Sequence, residues 1–138
     1  MDTRDIVTVT NLSKNYGDFR AVKDISFSIK EGEIFGFLGP NGAGKTTTIN
    51  MMIGLARPSS GSITINDIDG VRNIKKAQSI MGIVADESNL YDEMDGFDNL
   101  CFCGALYGMK KKEREERARY LLDQFNLTSA GNRPFKAY

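Results

Sequence analysis

Apolar positions change period along the chain in a definite order. Residues 6–10 (IVTVT) and 21–30 (AVKDISFSIK) are enriched in β-branched residues, and Val22, Ile25, Phe27 and Ile29 follow an alternation interrupted near Asp24, which predicts two strands. Glu31-Gly32 predicts a tight turn into residues 33–38 (EIFGFL). That run is apolar on both parities apart from Gly36, the pattern of a strand buried on both faces. After GPNGAGKTT, Ile49, Met52, Ile53 and Ala56 recur at helical spacing, and Arg57-Pro58 with the following SSG stops the helix. Residues 61–66 (GSITIN) predict a short strand, the DIDG after it a turn, 71–79 a short polar helix and 80–84 (IMGIV) another strand. Asp95 predicts the cap of a helix over 96–108 with Phe97, Leu100, Gly104 and Tyr107 on its apolar face. A second helix over 111–125 turns Ala118, Leu121, Leu122 and Phe125 inward, supported on its wet side by Glu113/Arg117 and Glu115/Arg119 pairs.

Charge and composition narrow the function. The 138 residues carry 18 Lys+Arg against 18 Asp+Glu. This balance argues against a chain whose task is to neutralise nucleic-acid phosphates, so no nucleic-acid partner is expected. No apolar run approaches the ~20 residues that span a bilayer, and MDTRDI has neither the basic nor the apolar region of a signal peptide, so a cytoplasmic location is expected. Cys101 and Cys103 lack further metal-ligand partners and read as small packing residues. With no His in the chain, mechanisms that use an imidazole base are excluded.

The chemistry concentrates in residues 39–46, GPNGAGKT, a full match to GxxxxGK[ST] between a predicted buried strand and a predicted helix. Average residue usage makes a chance match rarer than about one in a hundred chains of this length. Gly42 and Gly44 let the backbone turn its N–H groups around an anion, and the helix start adds the positive end of its dipole. Lys45 is placed to reach the β and γ phosphates, the Thr46 hydroxyl suits Mg²⁺, and Thr47 suits the α phosphate. Phosphate binding is the inference. The loop by itself does not name the reaction, because metabolite kinases, GTPases and transport ATPases share it.

The wording around the loop is more specific. NLSKNYG, AVKDISFSIKEGEIFGFLG, GPNGAGKTTTINMMIGLARPSSGSITIND and IMGIVADESNLYDEMDGFDNL, covering roughly 10–138, closely resemble the ATP-binding subunits of ABC transporters. The resemblance implies an α/β P-loop NTPase of the ABC ATPase type: an antiparallel β subdomain, a mixed or parallel core sheet, and the start of a helical subdomain. It divides the chain into 1–84, the N-terminal part of the ATP-binding core, and 85–138, the glutamine-loop region and the beginning of the helical subdomain. It implies ATP and Mg²⁺ as ligands. Tyr16 is the aromatic expected to stack on adenine, Val22 the apolar residue beside the sugar, and Gly39, Asn41, Gly42, Ala43, Gly44, Lys45, Thr46 and Thr47 the phosphate site. Thr46 and Asp86 are the metal positions, with Asp86 standing where the family has glutamine; a carboxylate there can accept but not donate as the amide does.

The resemblance further implies a subunit that powers transport, with wording nearest the exporter branch, and that works as a head-to-tail dimer on a transmembrane subunit at the inner face of the membrane. The family's signature sequence, acidic strand with its catalytic glutamate, and switch histidine do not occur in the 138 residues. The expectation is therefore an N-terminal portion of a longer ATPase, which alone binds nucleotide at most. Between Ala77 and Met109 there is no Lys or Arg but six acids, and Asp86, Glu87, Asp92 and Glu93 are expected to face a basic segment of the membrane subunit. Three rivals stand beside this reading. A GTPase is raised by Asp67–Gly70 (DIDG) as DxxG, although NKxD is absent; the others are an ABC-type ATPase of DNA repair or chromosomes, and a non-enzymatic nucleotide-binding module.

Overall fold

The computed structural model describes residues 4–84 and 90–138. Two compact units divide between Ile83 and Val84.

In the first unit, β1 (Asp5–Tyr16) and β2 (Phe19–Lys30) form a long hairpin, and β3 (Ser60–Ile65) and β4 (Ile68–Asp69) complete an antiparallel sheet of order β2-β1-β3-β4. Both hairpin strands run further than the β-branched segments that announce them. The interruption at Asp24 is a real irregularity in the ladder: Asn11 and Asp24 both have left-handed backbones, at φ 49° and 51°, and Asn11 Nδ2 donates to the Asp24 carboxylate at 3.0 Å. The DIDG run is not a simple turn. Asn66 and Asp67 take the two left-handed positions of a tight hairpin, and Ile68–Asp69 is the return strand. Asp69 then accepts hydrogen bonds from the N–H groups of Val71 and Arg72 at 2.9 Å, and Asp67 pairs with Arg4.

One face of this sheet packs on α1 (Lys45–Met52) and α2 (Ile74–Gln78). Val9, Leu12, Val22, Met51, Ile63, Ile65 and Ala77 form the buried cluster between them. The helical spacing of α1 was expected to turn Ile49 inward. Instead Thr48 and Met51 are buried and Ile49 is exposed, because the preceding loop sets where the helix starts and so which side meets the sheet. Residues 33–38 and 80–84, both expected as core strands, form no ladder with any described strand. Apolar alternation makes a strand only where a neighbouring backbone accepts its hydrogen bonds. Ile34 and Leu38 lie fully in solvent, while Phe35 and Phe37 fold back on Phe27, with ring centroids 5.2–5.3 Å apart.

In the second unit, α3 (Gly96–Leu106) and α4 (Lys111–Gln124) pack on each other, and a short 3₁₀ turn at Phe135–Ala137 follows. Asp95 caps α3 as expected, accepting from the Asp98 N–H at 2.7 Å. Ala118 and Leu122 are buried, but Phe125 and Tyr107, expected inward, are exposed at the helix ends. The expected Glu113/Arg117 and Glu115/Arg119 pairs are replaced. Lys111 and Lys112 approach Glu115 and Glu116 at 3.9 and 4.0 Å, and Arg117 and Arg119 lie over the rings of Tyr120 and Phe97. An aromatic face within reach offers an exposed guanidinium as much as an exposed carboxylate does.

Candidate functional site

The loop of residues 39–46 leads from the aromatic cluster into α1, and its shape follows from its glycines. Gly44 is the N-cap of α1 at φ 87°, and Gly42 lies at φ 83°. Both are left-handed conformations that residues with a side chain rarely adopt. Gly44 has no side chain to cap the helix, and the first turn of α1 contains no acid. The first N–H groups of a helix have no partner inside it. The start of α1 therefore presents N–H donors without a side-chain cap and a positive dipole end with no acid in its own first turn.

Lys45 stands in that first turn, where a cation is disfavoured by the dipole. Its Nζ donates to the carbonyls of Gly39 and Pro40 at 2.7 and 2.8 Å, and among the described residues it has no carboxylate partner. An ammonium held by two loop carbonyls beside an uncapped helix start is a place where an anion can bind. Thr48, buried behind the loop, ties the helix back by bonding the Gly44 carbonyl through its N–H at 2.8 Å and its hydroxyl at 2.9 Å.

Two adjoining clefts open on this loop. The smaller, about 250 Å³, is lined by Asn41, Gly42, Gly44, Lys45, Thr46 and Thr47 together with Phe19 and Ala21. The larger, about 670 Å³, includes Ala43, Gly44 and Lys45 and extends along β2 past Phe19, Ala21 and Val22 to Phe27 and Phe37. The structure thus places Asn41, Gly42, Gly44, Lys45, Thr46 and Thr47 on the smaller cleft and Ala43 on the larger. Gly39 lies at the base of the loop as an acceptor for Lys45. Thr46 is exposed at the mouth, where a hydroxyl can meet a hydrated divalent cation.

The flanking residues are placed less simply. Val22 borders the larger cleft, but its side chain is 4% exposed and belongs to the core beneath Gly44. Tyr16 closes the tip of the β1–β2 hairpin opposite Phe19, half-exposed, with the Lys14 ammonium 4.8 Å from its ring centroid; it borders neither cleft. Asp86 lies outside the described residues, as does Glu87. Phe19 and Ala21 were not anticipated. The signal that could have found them is the two-residue Gly17-Asp18 connection, which returns the chain past the loop within a few residues of Tyr16.

In the second unit, Glu93 does not stand alone as an acid: both its oxygens accept from Lys136 Nζ at 2.8 Å. Sequence reasoning also missed Asn99, a buried amide on α3. Its Oδ1 accepts from the Tyr91 N–H at 2.8 Å, and its Nδ2 lies 3.0–3.2 Å from the carbonyls of Tyr91, Met94 and Asp95. The amide pins the acidic 91–95 segment to the helix. Among the described residues no helix is long and apolar enough to cross a membrane.

A Gly-rich loop that opens a helix and offers N–H donors and one lysine defines the P-loop NTPase class of α/β folds. The chain belongs to the ABC transporter family, whose pattern matches residues 22–138. It is 45% identical over 118 residues to the linearmycin resistance ATP-binding protein LnrL of Bacillus subtilis (strain 168), covering 86% of this chain and 38% of that protein. It is 36% identical over 133 residues to the ABC transporter ATP-binding protein NatA of the same organism, covering 93% and 54%. To the doxorubicin resistance ATP-binding protein DrrA of Mycobacterium tuberculosis (strain ATCC 25618 / H37Rv) it is 37% identical over 134 residues, covering 96% and 40%.

Among solved structures, an ATP-binding subunit of an ABC transporter superposes with a TM-score of 0.80 at 30% identity, covering 96% of this chain and 55% of the other. The ATP-binding cassette MJ0796, solved as a dimer in a post-hydrolysis state with ADP and Pi, superposes with a TM-score of 0.77 at 26% identity, covering 96% and 62%. The chain thus spans between 38% and 54% of the length of the three curated relatives.

Proposed function

We propose that this chain is the nucleotide-binding portion of an ATP-binding subunit that powers export across a membrane. The observation that carries the reading is the start of α1, where uncapped N–H donors and the Lys45 ammonium lie together with no acid in the first turn and, among the described residues, no carboxylate partner for Lys45. The phosphates of ATP occupy Gly39 to Thr47, with Lys45 exchanging its two carbonyl acceptors for β and γ oxygens. Thr46 supplies a hydroxyl to Mg²⁺, and Asp86 is the second metal position. Mg²⁺, when bound, would neutralise phosphate charge there. Tyr16 and Val22 flank the base and sugar.

The resistance names of two relatives support an exporter, and the dimeric state of one structural neighbour supports a head-to-tail pair of subunits. A transmembrane subunit would hold that pair at the inner face of the membrane. Hydrolysis belongs to the paired, full-length subunits, since residues 1–138 supply the cradle and one hydroxyl ligand without a described carboxylate aimed at an attacking water. The GTPase alternative loses its motif here, because Asp67 and Asp69 are occupied in the β3–β4 hairpin.

Calorimetric titration of the 138-residue chain with Mg-ATP tests the site. The parent is expected to bind and Lys45→Ala to lose binding while keeping its fold, because the Nζ contacts are with exposed loop carbonyls. Equal binding by both proteins would remove the phosphate loop from the reading.

A further inference from the structure

A further cleft, of about 450 Å³, lies between the end of α1 and the turn from β4 into α2. Its walls carry two guanidinium groups, Arg57 after α1 and Arg72 before α2, and no Asp or Glu lines it. Among the described residues Arg57 has no carboxylate within ion-pair distance. Arg72 meets only Asp69, at 3.8 Å through Nε, and that carboxylate already accepts the N–H groups of Val71 and Arg72. Met51, Ala56, Val71 and Ile74 give the cleft an apolar lining. Two hydrogen bonds hold the frame. Gln78 Nε2 donates to the Ile53 carbonyl at 2.9 Å, tying α2 to the end of α1. Lys14 Nζ donates to the Arg57 carbonyl at 2.7 Å, which sets a third cation beside Arg57. A planar guanidinium matches phosphate oxygens in pairs, and two of them with no acid in the cleft concentrate positive charge where such a group can sit.

We infer that the cleft between Arg57 and Arg72 is a second anion site of this chain, one that takes a phosphate monoester carried on an apolar body. The two guanidinium groups hold the phosphate, and the hydrocarbon lies against Met51, Ala56 and Ile74. Two cations match a dianion, which favours a phosphate monoester over a carboxylate. The site goes beyond the nucleotide reading and does not depend on it, since no residue between Gly39 and Thr47 lines this cleft. A soluble alkyl phosphate and the headgroup of phosphatidic acid present the same chemistry.

The experiment uses the Lys45→Ala chain, so that the phosphate loop does not contribute. The arginine Nε–H NMR signals are followed during titration with butyl phosphate, and capture is measured on vesicles of phosphatidylcholine with and without phosphatidic acid. Saturable shifts of the Arg57 and Arg72 signals are expected. Adding Arg57→Gln or Arg72→Gln should weaken butyl phosphate by about 10-fold or more, the usual worth of one charge-assisted pair. Both side chains are exposed, so these variants should keep the fold. Arg57→Lys, which keeps the charge without the planar fork, should recover only part of the loss. Vesicle capture that requires phosphatidic acid and both arginines assigns the lipid as the source, and butyl phosphate binding without such capture assigns a soluble ester. Lys75→Gln with Lys76→Gln removes two charges from α2 outside the cleft lining and should leave binding nearly unchanged. Equal losses from the lysine pair and the arginine pair would reduce the effect to diffuse charge and overturn the site, as would the absence of saturable binding with both probes.

Discussion

Gly44 and Ala21 touch backbone to backbone: a methyl group on Gly44 would stand 2.6 Å from the Ala21 carbonyl oxygen. The phosphate loop is therefore seated directly on β2, at the position where Ala21 and Phe19 open the two clefts.

Gly44→Ala should accordingly damage both fold and site. The substitution combines a left-handed backbone at φ 87° with a collision against main chain that cannot rotate away. A strained backbone of this kind costs on the order of 1–3 kcal/mol before the clash is counted. Urea unfolding should show a lower midpoint, and nucleotide titration a weaker site, whereas Gly82→Ala, with open space around its Cβ and no left-handed backbone to strain, should leave nucleotide binding intact.

Asn99→Ala should loosen the second unit. It removes one acceptor and one amide donor group from a buried position and leaves the Tyr91 N–H and nearby carbonyls without their partner. The cost is about 1–3 kcal/mol, and faster hydrogen exchange at the Tyr91 amide would locate it. Unchanged exchange at that amide would show that the clamp contributes nothing.

Asp69 should titrate below its ordinary value of 3.8, because the N–H groups of Arg72 and Val71 bond its carboxylate, with a smaller pull from the Arg72 charge. A carboxylate with a depressed folded pKa stabilises the fold above its unfolded pKa and loses that contribution as pH falls through the folded one. The stability advantage of the parent over Asp69→Asn should thus be full near neutral pH and close below pH 3.8. NMR titration of the Asp69 carboxyl with a midpoint at or above 3.8 would contradict the hairpin role.

The Cys101 thiol is pushed up, chiefly by desolvation and next by the Glu115 carboxylate. Since the thiolate is the reactive form, alkylation of Cys101 at pH 8 should be slower in the folded chain than in urea. Peptide-resolved mass spectrometry of iodoacetamide labelling reads this, and equal rates in both states would refute it.

What the sequence determined by itself is what local chemistry decides. Glycines at 42 and 44 and the residues after them specify a left-handed turn at a helix start, because backbone conformation is set within a few residues. The alternation of Val22, Ile25, Phe27 and Ile29 specified β2, and its break at Asp24 marked the irregular ladder. Asp95 specified the start of α3 for the same reason: its cap bond spans three residues.

Only the tertiary structure decided the remainder. Whether 33–38 and 80–84 form strands depends on a neighbouring backbone, which no local pattern supplies, and among the described residues none pairs with them. The inward side of α1 depended on how the Gly44 turn meets the Ala21 carbonyl, so Met51 went in and Ile49 stayed out. Asn99 reads as an ordinary polar helix residue until Tyr91, Met94 and Asp95 surround it. Phe19 reads as one aromatic among eight Phe residues until the hairpin carries it across some twenty-five positions of sequence to Lys45, a proximity that folding creates and periodicity cannot encode.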